Sequence, residues 1–287
     1  TYKKGTIEQK LSDFYKLALN VDARNKAGIS PVKPLLDEME ADKTKAYLQK
    51  IQLKYAAQGY GVSFGGGFGA DEKNVKMNIF NLGQGGLTLG QKDYYVNNDA
   101  ATVAIREAFK KYVQKMFQLY GFSAEEAAQK EQAIFQHETM LALISKSMTE
   151  LRDPQANYNK MTLKEFQEKY PNLNFEAMCN AEGIKSEYIQ EMIVGQPDFL
   201  AGLDKITAAE NDNTLRALME WDVIQSSSSY LTDEIREANF DFFGKTMSGR
   251  KEDYPLWKRA TSQVEAQLGE PLGRMYCKRY FPESSKK

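Results

Sequence analysis

Hydrophobic residues recur at helical spacing along most of the 287-residue chain. Polar residues that favour helix N-termini stand in front of these segments, namely Thr6, Asp99, Ser123, Thr162 and Thr232. Gln9, Glu126 and Glu165 follow three of these caps at capping-box spacing. The stripe from Ile105 to Tyr120 predicts a long helix, and a helix is predicted from Ser123 to Met148. A shorter helix is predicted to stop at Gly59, and Pro271 is expected to kink or end the last one.

One segment, at about 60–82, does not follow the helical period. Glycines and aromatics alternate in GYGVSFGGGFG, the turn-forming run Asp71–Asn74 follows, and VKMNIF comes after it. This pattern predicts a β-hairpin, the only β element expected. Since no repeat or linker interrupts the pattern, residues 1–287 are predicted to form a single, mainly α domain with this small hairpin.

The charge distribution, the length of the apolar runs and the cysteine content exclude several classes of protein. Lys plus Arg number 38 against 39 Asp plus Glu, and no block of like charge occurs. The sequence therefore lacks the basic footprint of a nucleic-acid or anionic-membrane binder. The apolar runs are far shorter than the roughly 20 residues of a transmembrane helix, so no such segment is predicted. Cys179 and Cys277 are too few for a disulfide framework and are expected to be unpaired and mostly buried.

His137 and Glu138 begin the H-E-x-x-H pattern of zinc peptidases within a predicted helix. In that motif two histidines one turn apart bind the metal, and the glutamate activates a water molecule. Here Leu141 occupies the second histidine position, and His137 is the only histidine in the chain. A histidine-based zinc site is therefore excluded, and His137 is expected on the helix surface or partly buried.

Two glycine-containing segments resemble phosphate-binding loops but fail on physical grounds. Gly244, Lys245 and Thr246 end like a P-loop, yet aromatic residues fill the preceding positions. The run Gly65–Gly69 leads into the hairpin turn rather than a helix N-terminus, so its glycines are expected to pack closely against a neighbouring strand. The residues alone thus predict no catalytic, cofactor-binding or metal site.

Four segments, in order, resemble the neprilysin and endothelin-converting-enzyme family of zinc metalloendopeptidases. They are GLTLGQKDYY (86–95), RDPQANYNKMTL (152–163), NFDFFGKTMSG (239–249) and LGEPLGRMYCKRYFP (268–282). The chain departs from the family pattern at four positions. Gly90 and Pro271 replace a usual Pro and Ala, while Lys92 and Cys277 replace a usual Arg and Val.

The resemblance implies a fold and a function. Members of this family have two largely helical domains around a central cavity, one carrying the H-E-x-x-H helix and the other acting as a lid. The residues present match the lid and stop before the zinc motif, so the catalytic zinc domain is expected to be absent from this chain. The resemblance implies that the parent is a zinc endopeptidase outside the cytoplasm, with peptides and its own catalytic domain as partners.

The chain itself is expected to be inactive, to bind no zinc, and to restrict substrate size by enclosing the cavity. The alternative is a stand-alone helical module that binds peptides or proteins without catalysis. Within the matched segments, Tyr94 and Tyr95 are expected to serve packing, and Arg152 and Asp153 to brace the turn at Pro154. Trp257 is expected in the core.

Overall fold

The computed structural model describes residues 2–58, 60, 64–281 and 283–285. The predicted helix stop at Gly59 and residues 61–63 of the predicted hairpin lie outside the described residues. The α-helices of the described part are α1 (Ile7–Leu19), α2 (Val21–Ala27), α3 (Lys33–Ala41), α4 (Lys45–Ala56), α5 (Asp93–Val96), α6 (Ala100–Leu119), α7 (Ala124–Ile144), α8 (Leu163–Lys169), α9 (Phe175–Ala181), α10 (Pro197–Ala209), α11 (Asp212–Ser227), α12 (Asp233–Asn239) and α13 (Leu256–Tyr280). The strands are β1 (Phe64–Asp71), β2 (Asn74–Gln84), β3 (Asn159–Thr162) and β4 (Glu191–Val194). A π-helix spans Phe240–Met247, and 3₁₀ turns span Glu150–Arg152, Ser186–Tyr188 and Glu283–Ser285.

The predicted helix caps are confirmed. The side chains of all five accept a hydrogen bond from a first-turn backbone amide, at Thr6, Asp99, Ser123, Thr162 and Thr232. Such bonds satisfy amides that have no partner within the helix. The reciprocal bond from the third residue closes a full capping box at Ser123 and Thr162. At the predicted Thr6–Gln9 box, the Gln9 side chain accepts from the Gly5 amide instead, so that box is not formed. Helix α7 ends at Ile144, so the predicted end at Met148 is wrong.

The chain divides into two compact units, one formed by Thr1–Ile29 with Tyr230–Lys287 and the other by Ser30–Ser229. In the first unit α1 packs along α13. Helix α13 has non-helical dihedral angles at Leu268, three residues before Pro271, because a proline ring clashes with the preceding turn. The predicted kink is therefore confirmed. Asp233 accepts a 3.0 Å hydrogen bond from Arg24 and so ties α12 to α2.

The second unit contains a four-stranded sheet in the order β1-β2-β4-β3. Strands β1 and β2 form the predicted antiparallel hairpin, with Phe68 opposite Phe80. Strand β4 pairs parallel to β2 and antiparallel to β3. The hairpin is thus not the only β element, and that prediction is wrong. It failed because β3 and β4 are four residues long and pair with partners distant in sequence.

Close strand packing explains one glycine of the Gly65–Gly69 run. A Cβ atom on Gly66 would lie 2.5 Å from a ring carbon of Phe80 and 2.9 Å from the carbonyl oxygen of Asn81. No side chain fits at that separation, so the glycine lets β1 lie flat beneath the Phe80 ring. The predicted packing role is confirmed at this position.

The helical part of the second unit surrounds Trp221 on α11. Its indole packs against three rings of α6, namely Phe109, Tyr112 and Phe117, with centroid separations of 6.4, 5.8 and 5.9 Å. These three rings are buried. Phe109 and Tyr112 belong to the predicted stripe of α6, whereas Phe117 was not part of it. Within the described ranges, no helix is long and apolar enough to cross a membrane.

Candidate functional site

A cavity of about 650 Å³ lies within the second unit. Its walls come from α4, α7, α9, α10 and α11, from the loops 86–88 and 172–174, and from Phe64 of β1. The apolar lining includes Leu53, Phe64, Leu87, Leu173, Met178, Leu203, Leu218 and Trp221. The charged lining residues are Lys45, Lys50, His137, Glu138, Glu210 and Asp222. The cavity lining therefore combines polar and apolar residues in similar numbers, and its charged groups are of both signs.

Glu138 on α7 is only 2% exposed and is held by neutral donors. The hydroxyl of Thr88 donates to its Oε1 at 2.6 Å, and the phenol of Tyr95 donates to its Oε2. The indole Nε1 of Trp221 donates in turn to the Thr88 hydroxyl at 3.0 Å. We call Glu138, Thr88, Tyr95 and Trp221 the hydroxyl cluster. It fastens the Gly86–Tyr95 segment, the first of the family-like motifs, to α7 and α11.

The environment of the hydroxyl cluster shifts two pKa values. Burial raises the pKa of Glu138 to about 7, although the hydrogen bonds from Thr88 and Tyr95 oppose that rise. Burial, together with the neighbouring Glu138 carboxyl, holds the pKa of the Tyr95 phenol well above its ordinary value. Tyr95 therefore stays a hydrogen-bond donor, while Glu138 changes charge near neutral pH.

His137 is 3% exposed, so the expectation of a surface or partly buried side chain is wrong. Its Nδ1 lies 2.7 Å from Glu210 Oε1, just past the C-terminus of α10. Lys45 donates from Nζ to the Glu210 carbonyl oxygen at 2.6 Å and anchors the same chain segment to α4. Helix spacing on α7 could not show this burial, because the cover comes from the distant α10.

The residues of this site do not fit a catalytic zinc ion. Across the described residues, no group of three or more His, Cys, Asp or Glu side chains is placed to hold a metal. Glu138 is occupied by Thr88 and Tyr95, and Leu141, at the second motif position, is fully buried. Zinc needs at least three protein ligands, which His137 and Glu210 alone cannot supply. No reaction step can be assigned to a metal here.

The remaining predicted positions have structural roles. Gly244 lies in the π-helix, and a Cβ there would come within 2.2 Å of the Phe240 ring. The Asp153 carboxylate accepts from the amides of Gln155 and Ala156, which confirms that it braces the turn. Tyr95 is buried, as its packing role requires. Both cysteines are unpaired, and the expected burial holds for Cys179 but is wrong for Cys277, which is exposed.

Trp257 lies on the first unit and is 59% exposed, so its predicted core position is wrong. The apolar spacing that suggested a core face is satisfied instead by Ala260 and Val264, the buried residues of α13.

A second buried polar group, which sequence reasoning did not identify, connects α3, α7 and α11. Lys130 Nζ contacts Glu220 at 2.6 Å and Glu40 at 3.4 Å, and Arg216 Nε lies 3.3 Å from Glu40. We call Glu40, Lys130, Arg216 and Glu220 the ionic cluster. Burial raises the pKa of Glu220 to about 7 despite Lys130. Burial would also raise the pKa of Glu40, but the hydrogen bond with Glu220 and the charges of Lys130 and Arg216 lower it to about 2.

Comparison with known proteins identifies the class. The sequence profile of peptidase family M13 matches residues 1–287, and the chain belongs to this family. Endothelin-converting enzyme 1 of Homo sapiens is 25% identical over 97% of the chain, and neprilysin-3 of Drosophila melanogaster is 25% identical over 99%. The chain spans 37% and 38% of these two proteins. It corresponds to an N-terminal portion of such peptidases.

Solved structures show the same fold. The zinc metalloprotease ZMP1 of Mycobacterium tuberculosis in its open state superimposes with a TM-score of 0.90 and 26% identity. The match covers 100% of this chain and 44% of that one. PepO of Lactobacillus rhamnosis, at 20% identity and a TM-score of 0.79, shares the fold. The family assignment and the mainly α fold predicted from the sequence are thereby confirmed.

One departure from the family pattern has a structural counterpart. Gly90, which stands where the resembling family has Pro, has a φ of +81°. A proline ring fixes φ near −65°, so the turn of this chain cannot be built with that residue. Lys92, which stands where the resembling family has Arg, donates from Nζ to the Ser145 carbonyl oxygen at 2.7 Å. This bond ties the loop above Glu138 to the end of α7.

Proposed function

We propose that residues 1–287 form the non-catalytic, enclosing part of a zinc-dependent metalloendopeptidase. The observation that carries the proposal is the match of the entire chain to peptidase family M13, together with its fold similarity to a structure described as a zinc metalloprotease. In this proposal the chain walls off the space in which peptides are cleaved. Its partners are a catalytic domain of the same polypeptide and peptide substrates, outside the cytoplasm.

The proposed role of the enclosing part is to exclude folded proteins sterically from the zinc site. A zinc site open to solvent would attack any exposed loop, whereas an enclosed one admits only chains thin and flexible enough to enter. Packed helices suit this task because close-packed interiors resist deformation. Helices α6 and α7, of 20 and 21 residues, pair along their length in the second unit and would provide a stiff wall. Loading a substrate would then require the wall to move away from the catalytic domain.

The test uses the longer protein encoded by the same gene. A fluorogenic peptide should be cleaved, and the identical sequence grafted into a rigid loop of a folded protein should be spared. Chelation, or replacement of the glutamate in a downstream H-E-x-x-H motif by Gln, should abolish cleavage. Equal cleavage of the peptide and the grafted loop would overturn the enclosing role.

A second candidate is a helical binding module without catalysis, and the cavity of the second unit favours it as a specific observation. The gene sequence that follows Lys287 distinguishes the two candidates. An H-E-x-x-H motif within the next few hundred residues supports the peptidase, and a stop codon supports the binding module.

A further inference from the structure

A short surface segment covers the buried carboxyl of Glu138. Residues 85–91, which we call the strap, form coil and turn between the end of β2 and α5. Thr88 at the centre of the strap is half-buried, whereas Glu138 beneath it is 2% exposed. Gly86 and Gly90 stand on either side of this centre, with φ values of +80° and +81°. The strap is therefore a thin cover with conformationally permissive residues on both sides.

Hydrogen bonds to the hydroxyl cluster hold the strap in place. The Thr88 amide donates to Glu138 Oε2 at 3.3 Å, and the Thr88 hydroxyl donates to Oε1 at 2.6 Å. The Leu89 amide donates to the Tyr95 phenol oxygen at 3.1 Å, and that phenol donates in turn to Glu138. Trp221 Nε1 donates to the Thr88 hydroxyl at 3.0 Å. The strap is thus attached, directly and through Tyr95, to a single carboxyl group.

The charge of that carboxyl determines how stable the closed strap is. Each bond to Glu138 comes from a neutral group, so a charged Glu138 has hydrogen bonds but no counter-charge in the closed strap. Burying a carboxylate without a counter-charge is costly even when it is hydrogen-bonded, whereas a neutral carboxyl avoids this cost. Burial accordingly raises the pKa of Glu138 to about 7.

Charged and titratable groups on the surrounding elements do not reverse this preference. Helices α5, α6, α10 and α11 pack against α7. Together with α7, the end of the strap and the cavity wall, they contribute Lys45, Lys92, Arg106, Lys110, His137, Glu210 and Asp222. His137 favours the charged form of Glu138, but burial has the larger effect on its pKa. Lys92 and Arg106 donate to backbone carbonyl oxygens. The closed strap therefore favours the neutral carboxyl.

We propose that the strap responds to pH: it stays closed over Glu138 while the carboxyl is neutral and lifts locally, about its glycines, when the carboxyl is charged. Lifting lets water reach the carboxylate and removes the cost of burying its charge. Since residues 86–88 and Glu138 line the cavity, lifting also opens the cavity on this side. The inference does not depend on the proposed peptidase function, because it concerns this chain alone.

Proton binding gives the direction and size of the effect. The closed strap holds the Glu138 proton with a pKa of about 7, and an open strap returns the carboxyl towards the ordinary value of 4.5. The equilibrium constant for opening should therefore rise about tenfold between pH 6 and pH 8 and change little at higher pH. Below pH 4.5 the carboxyl is neutral in both states, so opening no longer depends on this proton.

Amide hydrogen exchange measures the opening at Thr88 and Leu89, whose N–H groups donate to the hydroxyl cluster. After correction for the intrinsic pH dependence of exchange, protection of both amides should fall about tenfold from pH 6 to pH 8. Urea unfolding of the Trp257→Phe variant, in which Trp221 is the single tryptophan, gives the global stability at the same pH values. Constant protection, or protection that equals the global value at each pH, would overturn local lifting of the strap.

Two glutamine variants test whether Glu138 is the group that titrates. Glu138→Gln is neutral at every pH, so the protection of Thr88 should no longer fall between pH 6 and pH 8. The matched control is Glu220→Gln, which replaces the other buried glutamate whose pKa is raised to about 7. It should leave the fall at Thr88 in place. If the fall persists in Glu138→Gln, another group such as His137 controls the strap and the proposal is wrong.

Substitutions at Thr88 test the attachment itself. Thr88→Val keeps the side-chain volume and removes the hydroxyl that donates to Glu138, whereas Thr88→Ser keeps a hydroxyl. At pH 8 the valine variant should open about tenfold more readily, the effect of one hydrogen bond to a charged group. The serine variant should remain within about twofold of the unsubstituted chain. Equal opening in the two variants would show that the hydroxyl does not hold the strap, contrary to the proposal.

Discussion

Two of the buried glutamates in the second unit, Glu138 and Glu220, share one property and differ in their surroundings. Glu138 in the hydroxyl cluster and Glu220 in the ionic cluster both have a pKa raised to about 7 by burial. Neutral donors surround Glu138, namely Thr88 and Tyr95. Glu220 instead contacts Lys130 and shares a hydrogen bond with Glu40. Burial raises both pKa values, but neutral hydrogen-bond donors oppose the rise at Glu138 and the Lys130 cation opposes it at Glu220.

The difference determines how much stability each cluster loses when one of its residues is replaced. The hydroxyl cluster holds no fixed charge besides Glu138, so the loss of a donor leaves a carboxyl that can take up a proton. The ionic cluster holds several charges, and removing one cation leaves two carboxylates with Arg216 as the remaining counter-charge. Unpaired buried charges cost far more than unpaired neutral groups. We therefore expect the ionic cluster to be more sensitive to substitution and the hydroxyl cluster to be more tolerant.

The largest loss in the free energy of unfolding is expected for Lys130→Met at pH 8. The substitution keeps much of the side-chain volume and removes the charge beside Glu220, so unfolding should become easier by about 3–5 kcal/mol. Urea unfolding followed through Trp221, in the Trp257→Phe background, measures this change for the second unit. The control is Lys33→Met, which removes an exposed ion pair with Asp37. A loss below about 1 kcal/mol at Lys130 would mean that the ionic cluster resembles a surface pair.

Much of the fold was accessible to sequence reasoning because its determinants are local. Caps such as Ser123 and Thr162 bond to amides three residues away, and the stripe of α6 faces one side by helical geometry alone. Strand β4 was missed because its identity depends on pairing with β2, for example between Val194 and Leu82. No local pattern in four residues can specify so distant a partner.

The candidate site was less accessible for the same reason. Its lining comes from five helices, two loops and a strand that are distant in sequence, and the His137 side chain is covered by Glu210 at the end of α10. The family resemblance did single out Tyr95, because its segment matched a family motif. It could not show the bond from Tyr95 to Glu138, since the resemblance supplies a pattern rather than contacts.

The pH dependence of stability should reveal both glutamates. Each folded-state pKa, about 7, lies above the ordinary value of 4.5, so the folded state binds its proton more tightly. Their contribution is therefore fully present below pH 4.5 and is lost as pH rises through 7. Each carboxyl should destabilise the second unit by on the order of 3 kcal/mol as an upper bound between pH 5 and 9.

Two variants separate these contributions. Glu138→Gln and Glu220→Gln should each reduce the fall in stability above pH 6, as measured by urea unfolding across the pH range. Below pH 4.5 the direction reverses, because the pKa of Glu40 is lowered to about 2 and its stabilising charge is lost on acidification. A flat profile between pH 5 and 9 in the unsubstituted chain would contradict the raised pKa of both groups.

A smaller effect is expected for Tyr95→Phe. The change deletes one donor to Glu138 and the phenol oxygen that accepts from the Leu89 amide. We expect a loss of about 1–3 kcal/mol, greater at pH 8 than at pH 5 because bonds to a charged carboxylate are stronger. The control is Tyr94→Phe, at the neighbouring half-buried position. If both tyrosine variants lose equally at both pH values, the bond to Glu138 contributes no specific stability.

The smallest expected effect is that of salt concentration on the stability loss caused by each lysine substitution. This effect also distinguishes the buried ion pair from the exposed one. Mobile ions screen charges that they can approach, and the Debye length falls to about 3 Å at 1 M. Lys130 and Glu220 have side-chain exposures of 11% and 0%, whereas Lys33 and Asp37 are 57% and 59% exposed. The loss caused by Lys130→Met should therefore be nearly the same at 0.1 and 1 M sodium chloride, within about 0.5 kcal/mol. Any effect of Lys33→Met should vanish at the higher concentration. If salt erased the Lys130→Met loss as well, water and ions would have to reach the ionic cluster, and its glutamate could not owe a raised pKa to burial.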